Sequence, residues 1–223
     1  MKRTNRTGRN RLSDMAAAYV RDAVISGRLR QDEFIRPEEL AAELDISVTP
    51  AREGLLTLEG EGFVSMVPRK GFVIAPLDPD DIRDIYTSQA LICGELAHRF
   101  AVRRTADQIA ELKAHQADLE AALEREDFEA YRRANHDFHR LINVGAGARK
   151  MLWLLAMTLR YTEPSTYRET EGWISASCDD HRAIIATIDA GDGPAAREAM
   201  SAHLTRLGDA LADRFARESR AAS

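Results

Sequence analysis

What the sequence lacks narrows it first. Only two residues are cysteine, Cys93 and Cys178. They lie far apart and form no CxxC pair, so they read as reduced thiols of a cytosolic protein and not as a disulfide framework. No apolar run approaches the roughly 20 residues needed to span a bilayer. The N-terminus, MKRTNRTGRNRL, is basic but has no apolar stretch of the kind a secretory signal carries. These absences predict a cytoplasmic protein without membrane segments. No HExxH string occurs, no internal repeat and no low-complexity segment. Aromatic residues are 6% of the chain, whereas Ala, Leu, Arg and Glu are plentiful, a balance that favours helices over sheet.

What is present is unevenly charged. The net charge is −5, but residues 1–76 carry 12 Lys and Arg against 11 Asp and Glu, and the remainder carries 19 against 25. The first eleven residues hold Lys2, Arg3, Arg6, Arg9 and Arg11 with no acid. They form a basic arm, either a segment that rides on phosphate or a solvated tail. With 223 residues, two domains follow as the expectation.

Periodicity divides the chain the same way. Leu12 to Ser26 reads as a helix, capped by Ser13 or Asp14, with Met15, Tyr19, Val20 and Val24 as its apolar face and Gly27 as its stop. A second helix opens at Pro37 and runs through Leu40 and Leu44. After the tight turn Asp45-Ile46-Ser47, a third helix capped by Ser47 or Thr49 carries Leu55, Leu56 and Leu58. Two β-prone runs, Phe63–Val67 and Phe72–Ile74, flank the turn Pro68-Arg69-Lys70-Gly71. Three helices followed by a basic-tipped hairpin make a winged helix-turn-helix over residues 12–76. Pro76-Leu77-Asp78-Pro79 is the linker. From there to residue 223 the spacing predicts helices alone, at 79–103, 105–126, 127–144, 148–164, 172–190 and 192–218. Six antiparallel helices packed as a bundle are expected. The fold class is therefore mainly α.

A helix in the major groove offers its N-terminal turn to base edges. Here that turn holds Ser47, Val48, Thr49 and Arg52. Arg52 can reach a guanine or clamp a phosphate, Thr49 can bond phosphate, and Val48 can touch a thymine methyl. Arg36 precedes the second helix, where the DNA backbone would pass. Lys70 and Gly71 at the wing tip suit a minor groove.

The string Leu40-Ala-Ala-Glu-Leu-Asp-Ile-Ser-Val-Thr-Pro-Ala-Arg-Glu-Gly-Leu, with Leu58-Glu-Gly-Glu-Gly-Phe-Val and Pro68-Arg-Lys-Gly-Phe-Val, resembles the winged-helix domain of GntR-family regulators. The similarity runs from about Ala16 to Asp78. It implies operator contacts from Arg36, Thr49, Arg52, Lys70 and Gly71. Two departures stand out: Val48 occupies a position where an arginine is frequent, and Gln31-Asp32 replaces the usual Pro-Gly. The helical remainder resembles the FCD effector domain of the FadR subfamily, in its shorter six-helix, VanR-like form. Asn135-His-Asp-Phe-His139, Asp180-His181-Arg-Ala-Ile-Ile and Ala202-His203-Leu carry that likeness.

The spacing of these residues has its own logic. Asn135 and His139 are four apart and share a helix face. His181 and His203 flank a turn centred on Asp192, so antiparallel helices would bring them to one height. Three imidazoles converging in a bundle make a site for a borderline divalent ion, zinc before nickel or manganese, with positions left for a ligand. The resemblance implies a metal held by Asn135, His139, His181 and His203, with a small carboxylate completing the shell. Asn135 stands where relatives commonly have Asp, and Gln89 where many have Arg. Gln89, Tyr86, Tyr131, Arg132, Arg160 and Tyr161 are the pocket candidates, and Trp153 and Trp173 read as packing residues. The expected function is a DNA-binding transcription regulator, a repressor before an activator. It would act as a homodimer on pseudo-palindromic double-stranded operator DNA and answer to a small carboxylate effector. A metalloenzyme lacks a dedicated base among these motifs, and a constitutive architectural DNA binder would leave the histidines unused.

Overall fold

The computed structural model describes residues 4–25, 28–76, 78–161 and 173–221. The chain divides into two compact units, Met1–Leu77 and Asp78–Ser223.

The first unit holds α1 (Thr4–Ile25), β1 (Phe34–Ile35), α2 (Pro37–Glu43), α3 (Val48–Gly60), β2 (Val64–Val67) and β3 (Gly71–Ile74). Pro37 occupies the first turn of α2, where its missing N–H costs nothing, and Arg36 is the N-cap. Ser47 caps α3 by position, but its side chain makes no capping hydrogen bond. α1 and α3 pack closely because Gly54 has no side chain. A Cβ there would lie 2.8 Å from the Ser13 carbonyl oxygen and 2.9 Å from Ala16 Cβ. Ala16, Val20, Leu40, Leu55, Leu58 and Phe72 fill the core between helices and sheet.

Two expectations are corrected in this unit. α1 begins at Thr4, not Leu12, so Ser13 and Asp14 are interior residues and part of the basic arm is helical. Nothing among residues 4–11 is proline, and a helix anchored by packing extends at little cost until something stops it. The expected stop at Gly27 lies outside the described residues. The sheet also has a third strand, in the order β1-β3-β2. Phe34 pairs with Val73 and Ile35 with Phe72, both antiparallel. A two-residue strand carries no readable alternation, so β1 left no trace in the pattern.

The second unit is helical throughout its described residues. It comprises α4 (Pro79–Arg103), α5 (Ala106–Glu124), α6 (Phe128–Gly145), α7 (Arg149–Thr158) with a 3-10 turn at Leu159–Tyr161, α8 (Trp173–Ala190) and α9 (Gly193–Ala221). Side-chain caps start four of them, and on α9 Asp192 Oδ1 accepts from the Ala195 N–H. Asp78 and Asp81 close a capping box on α4, Thr105 and Gln108 close another on α5, and Asp127 accepts from the Ala130 N–H on α6. α4 and α9 form the most extensive helix pair. Phe100, Leu112, Phe138, Ile142, Ile184 and Met200 are the fully buried heart of the bundle. Among the described residues no helix is long and apolar enough to cross a membrane.

Candidate metal centre and DNA-contact face

α6, α8 and α9 each deliver one histidine to a common point. The possible ligand atoms of His139, His181 and His203 lie within 4.8 Å of one another. The ring centroids are 5.1 Å apart for His139 and His181, 5.3 Å for His139 and His203, and 4.9 Å for His181 and His203. The turn at Gly191, with φ +76°, reverses the chain between α8 and α9 and brings His181 and His203 level. Phe138, fully buried, stacks on His181 at 4.1 Å and gives the cluster an apolar floor.

Two of the imidazoles are held from behind. Gln116 on α5 donates its amide N–H groups to Glu120 Oε1 at 2.6 Å and to the Cys178 carbonyl at 3.4 Å. Its Oε1 is thereby left to accept from His181 Nδ1–H at 3.2 Å. That bond fixes the tautomer and turns the lone pair of Nε2 inward. His203 Nδ1–H donates to Asp180 Oδ2 at 3.2 Å, and Arg206 binds the same carboxylate. Burial pushes the Asp180 carboxyl up, but the bonds from His203 and Arg206 outweigh it and hold the group below the usual range.

The electrostatics suit a cation. Burial, then the neighbouring His203 and His136, push His139 down to about 3. Burial, then His139 and His203, also place His181 well below its ordinary value. Both imidazoles are neutral at pH 7, the form that ligates metal. His181 Nε2 is buried without a hydrogen-bond partner. An orphaned buried nitrogen costs about 1–3 kcal/mol, and a metal ion would relieve it. The donor set therefore fits a borderline divalent ion.

A cavity of about 460 Å³ opens onto His139 and His203. Leu152, Leu155, Leu159, Leu204 and Leu207 form its apolar wall, and among the described residues no aspartate or glutamate lines it. Gln89, Tyr131, Arg132 and Asn135 also line it. Asn135 is half-buried one turn before His139 on the same face of α6. Gln89 is buried, and its amide donates to the Thr158 carbonyl at 3.2 Å. Tyr86, by contrast, packs with Leu207 and Leu211 in a separate core cluster and is not in the lining. Arg160 is exposed on the 3-10 turn, and neither it nor Tyr161 is among the lining residues. Trp153 is 60% exposed, because the ten-residue α7 fully buries Leu155 alone. The side chain of Trp173 lies outside the described residues. Cys93 and Cys178 are both free and buried.

Sequence reasoning did not single out Gln116, Arg206 or Asn143, read Cys93 only as a reduced thiol, and quoted Asp180 without a role. Asn143 had a signal, since it follows His139 by four residues. Gln116 had none, because its part depends on α5 lying against α8.

In the first unit, Arg36, Ser47, Val48, Thr49 and Arg52 are all exposed, at or near the starts of α2 and α3. Val48 remains 40% exposed although apolar. Lys70 at the wing tip lies over the Phe34 ring, 5.7 Å from its centroid. Gly71 has φ +105°, and a Cβ there would meet the Ile35 carbonyl oxygen at 2.9 Å. β1 therefore requires glycine at this position independently of any DNA contact.

Comparisons with known proteins fall into the same two units. Residues 12–74 match the bacterial regulatory proteins of the gntR family, and residues 84–206 match the FCD domain. A segment of 104 residues is 35% identical to an uncharacterised HTH-type transcriptional regulator of Agrobacterium vitis, over 45% of this chain and 61% of that protein. Another of 84 residues is 38% identical to the Nta operon transcriptional regulator of Aminobacter aminovorans, over 38% of this chain and 40% of the relative. The match thus spans less than two thirds of the length of either. The HTH-type transcriptional repressor GlaR of Escherichia coli K12 is 25% identical over 83% of this chain and 89% of its own. Among solved structures, E. coli McbR/YncC superposes with a TM-score of 0.69 at 18% identity, covering 92% of this chain and 98% of that one.

Proposed function

The chain belongs to the GntR family of bacterial regulatory proteins and carries an FCD domain as its second unit, and from that premise we propose that it is an effector-controlled transcription regulator with a metal-bearing sensor. The winged helix-turn-helix binds operator DNA. Arg52, Thr49, Val48 and Ser47 meet base edges and phosphate, Arg36 meets the backbone, and Lys70 and Gly71 meet the minor groove. In the FCD unit His139, His181 and His203, with Asn135 beside them, hold a divalent ion, zinc before nickel or manganese. When bound, the ion supplies a Lewis-acidic anchor for an anionic ligand.

The observation that carries this reading is the cavity itself. Among the described residues no acidic side chain lines this largely apolar pocket, which opens onto the neutral imidazole of His139 and onto His203, and the orphaned Nε2 of His181 belongs to the same histidine cluster. Such a pocket takes a small carboxylate. The protein works as a homodimer, two copies reading a pseudo-palindromic operator in the repressor mode. Effector and operator affinities are then linked reciprocally.

Fluorescence anisotropy on operator DNA tests the coupling. A carboxylate that binds the metal-loaded protein should shift operator affinity by about five- to 150-fold. The His181→Ala, His203→Ala double variant should bind the same DNA without that response. A response that survives in the double variant would remove the histidines from the sensor.

A further inference from the structure

Asn143 presents a demand that no described residue meets. It lines the same cavity as His139, one helical turn further along α6. Its Oδ1 is buried and has no hydrogen-bond partner. Its amide is directed at Cys93, whose thiol burial pushes up to about 12, so it stays a neutral S–H. A buried acceptor with nothing to accept costs about 1–3 kcal/mol in the ligand-free protein.

The spacing along α6 turns this orphan into a subsite. Asn135, His139 and Asn143 recur every four residues and form one ladder, with neighbouring side chains about 6 Å apart. Arg132, His136 and Arg140 form a second ladder, displaced around the helix, and all three are exposed. Arg132 and Arg140, the arginines that line the cavity among the described residues, therefore sit on the outer ladder, while the inner one ends in a neutral acceptor. A ligand whose anionic head lies at His139 places its next atoms against Asn143. A second carboxylate there would face a carbonyl oxygen, whereas a hydroxyl or N–H would satisfy it.

We infer that Asn143 is a specificity subsite that accepts a hydrogen bond from the effector, which is thus a small monocarboxylate bearing a hydroxyl or N–H donor a few atoms from its anionic head. This rests on the reading of the cavity as the effector site. Asn143 selects the donor, while the histidines hold the head.

Matched ligands test the assignment by isothermal titration calorimetry on the zinc-loaded full chain. The probes are butyrate, 4-hydroxybutyrate and succinate, with the corresponding pentanoate and hexanoate sets. At one chain length the hydroxy acid should bind about five- to tenfold tighter than both the plain acid and the diacid. In Asn143→Leu that preference should fall to within about twofold, with binding of the plain acid retained. Equal affinity for hydroxy and plain acids at every length in the wild type overturns the subsite and leaves the effector site standing. A preference for the diacid, or a hydroxyl preference that survives in Asn143→Leu, also overturns it. Binding of none of the acids overturns the subsite and the effector-site reading together. The wild-type comparison alone decides the matter if the variant does not fold.

Discussion

At the scale of single residues, two kinds of side chain bear on the proposal: exposed ones at the starts of α2 and α3, and the three histidines that converge in the bundle. Arg52 is exposed in the first turns of α3. If it contacts a base, Arg52→Ala costs about 1–3 kcal/mol of operator affinity and relaxes selectivity at one base pair. Lys70→Ala instead weakens all DNA evenly and lowers the salt slope by about one. Operator titrations at several salt concentrations separate the two roles, and near-wild-type affinity for Arg52→Ala removes it from the recognition set.

The histidines of the cluster make a pH prediction. His139 is depressed to about 3, while an unfolded histidine titrates near its ordinary 6.5. Between those values the unfolded chain binds more protons than the folded one, so stability falls as pH falls through the window. The loss is roughly 1.4 kcal/mol per pH unit for each such group. His181 adds to it in the same direction. Urea titrations of metal-free protein should show this slope, and His139→Gln should flatten it. An unchanged slope in the variant contradicts the burial of a neutral imidazole. Behind His181, Gln116→Leu frees the tautomer and should cost about ten- to a hundredfold in metal affinity. Metal affinity equal to wild type would show that Gln116 only fills space.

At the scale of elements, the helices were the legible part. Pro37 and Pro79 announce α2 and α4, and the Gly-Asp-Gly-Pro turn at residues 191–194 announces the α8–α9 reversal. These signals are local, a cap or a breaker beside a periodic run. What escaped the sequence depends on partners remote in the chain. β1 exists because Phe34 and Ile35 find the free edge of β3. Tyr86 was a pocket candidate, yet α9 draws it into a cluster with Leu207 and Leu211. Trp153 read as a packing residue, but on α7 it stands 60% exposed. The three histidines were legible because their spacing and the turn between two of them sufficed. Gln116 was not, since no local pattern says that α5 backs α8. The α1–α3 crossing gives a test at this scale. Gly54→Ala improves helix propensity by about 1 kcal/mol but sets a methyl 2.8 Å from the Ser13 carbonyl. The backbone cannot move away cheaply, so a net loss of about 1–3 kcal/mol is expected by thermal or chemical denaturation. A stabilised variant would mean that the helices can separate freely.

For the whole molecule, one chain joins a GntR-type unit and an FCD unit, and the proposed regulator requires the second to hold its ion. The aligned relatives and superposed structures support the family and the fold. The ion is the central claim, and it rests on His139, His181 and His203 facing one point, with the imidazoles of His139 and His181 neutral. Elemental mass spectrometry of the purified chain, dialysed against zinc and again after chelation, tests it most directly. The account predicts about one equivalent of divalent metal per chain, removed by chelator, and absent from the His181→Ala, His203→Ala variant with its helical content intact. No metal after dialysis against excess zinc, or the same metal content in the double variant, would contradict it.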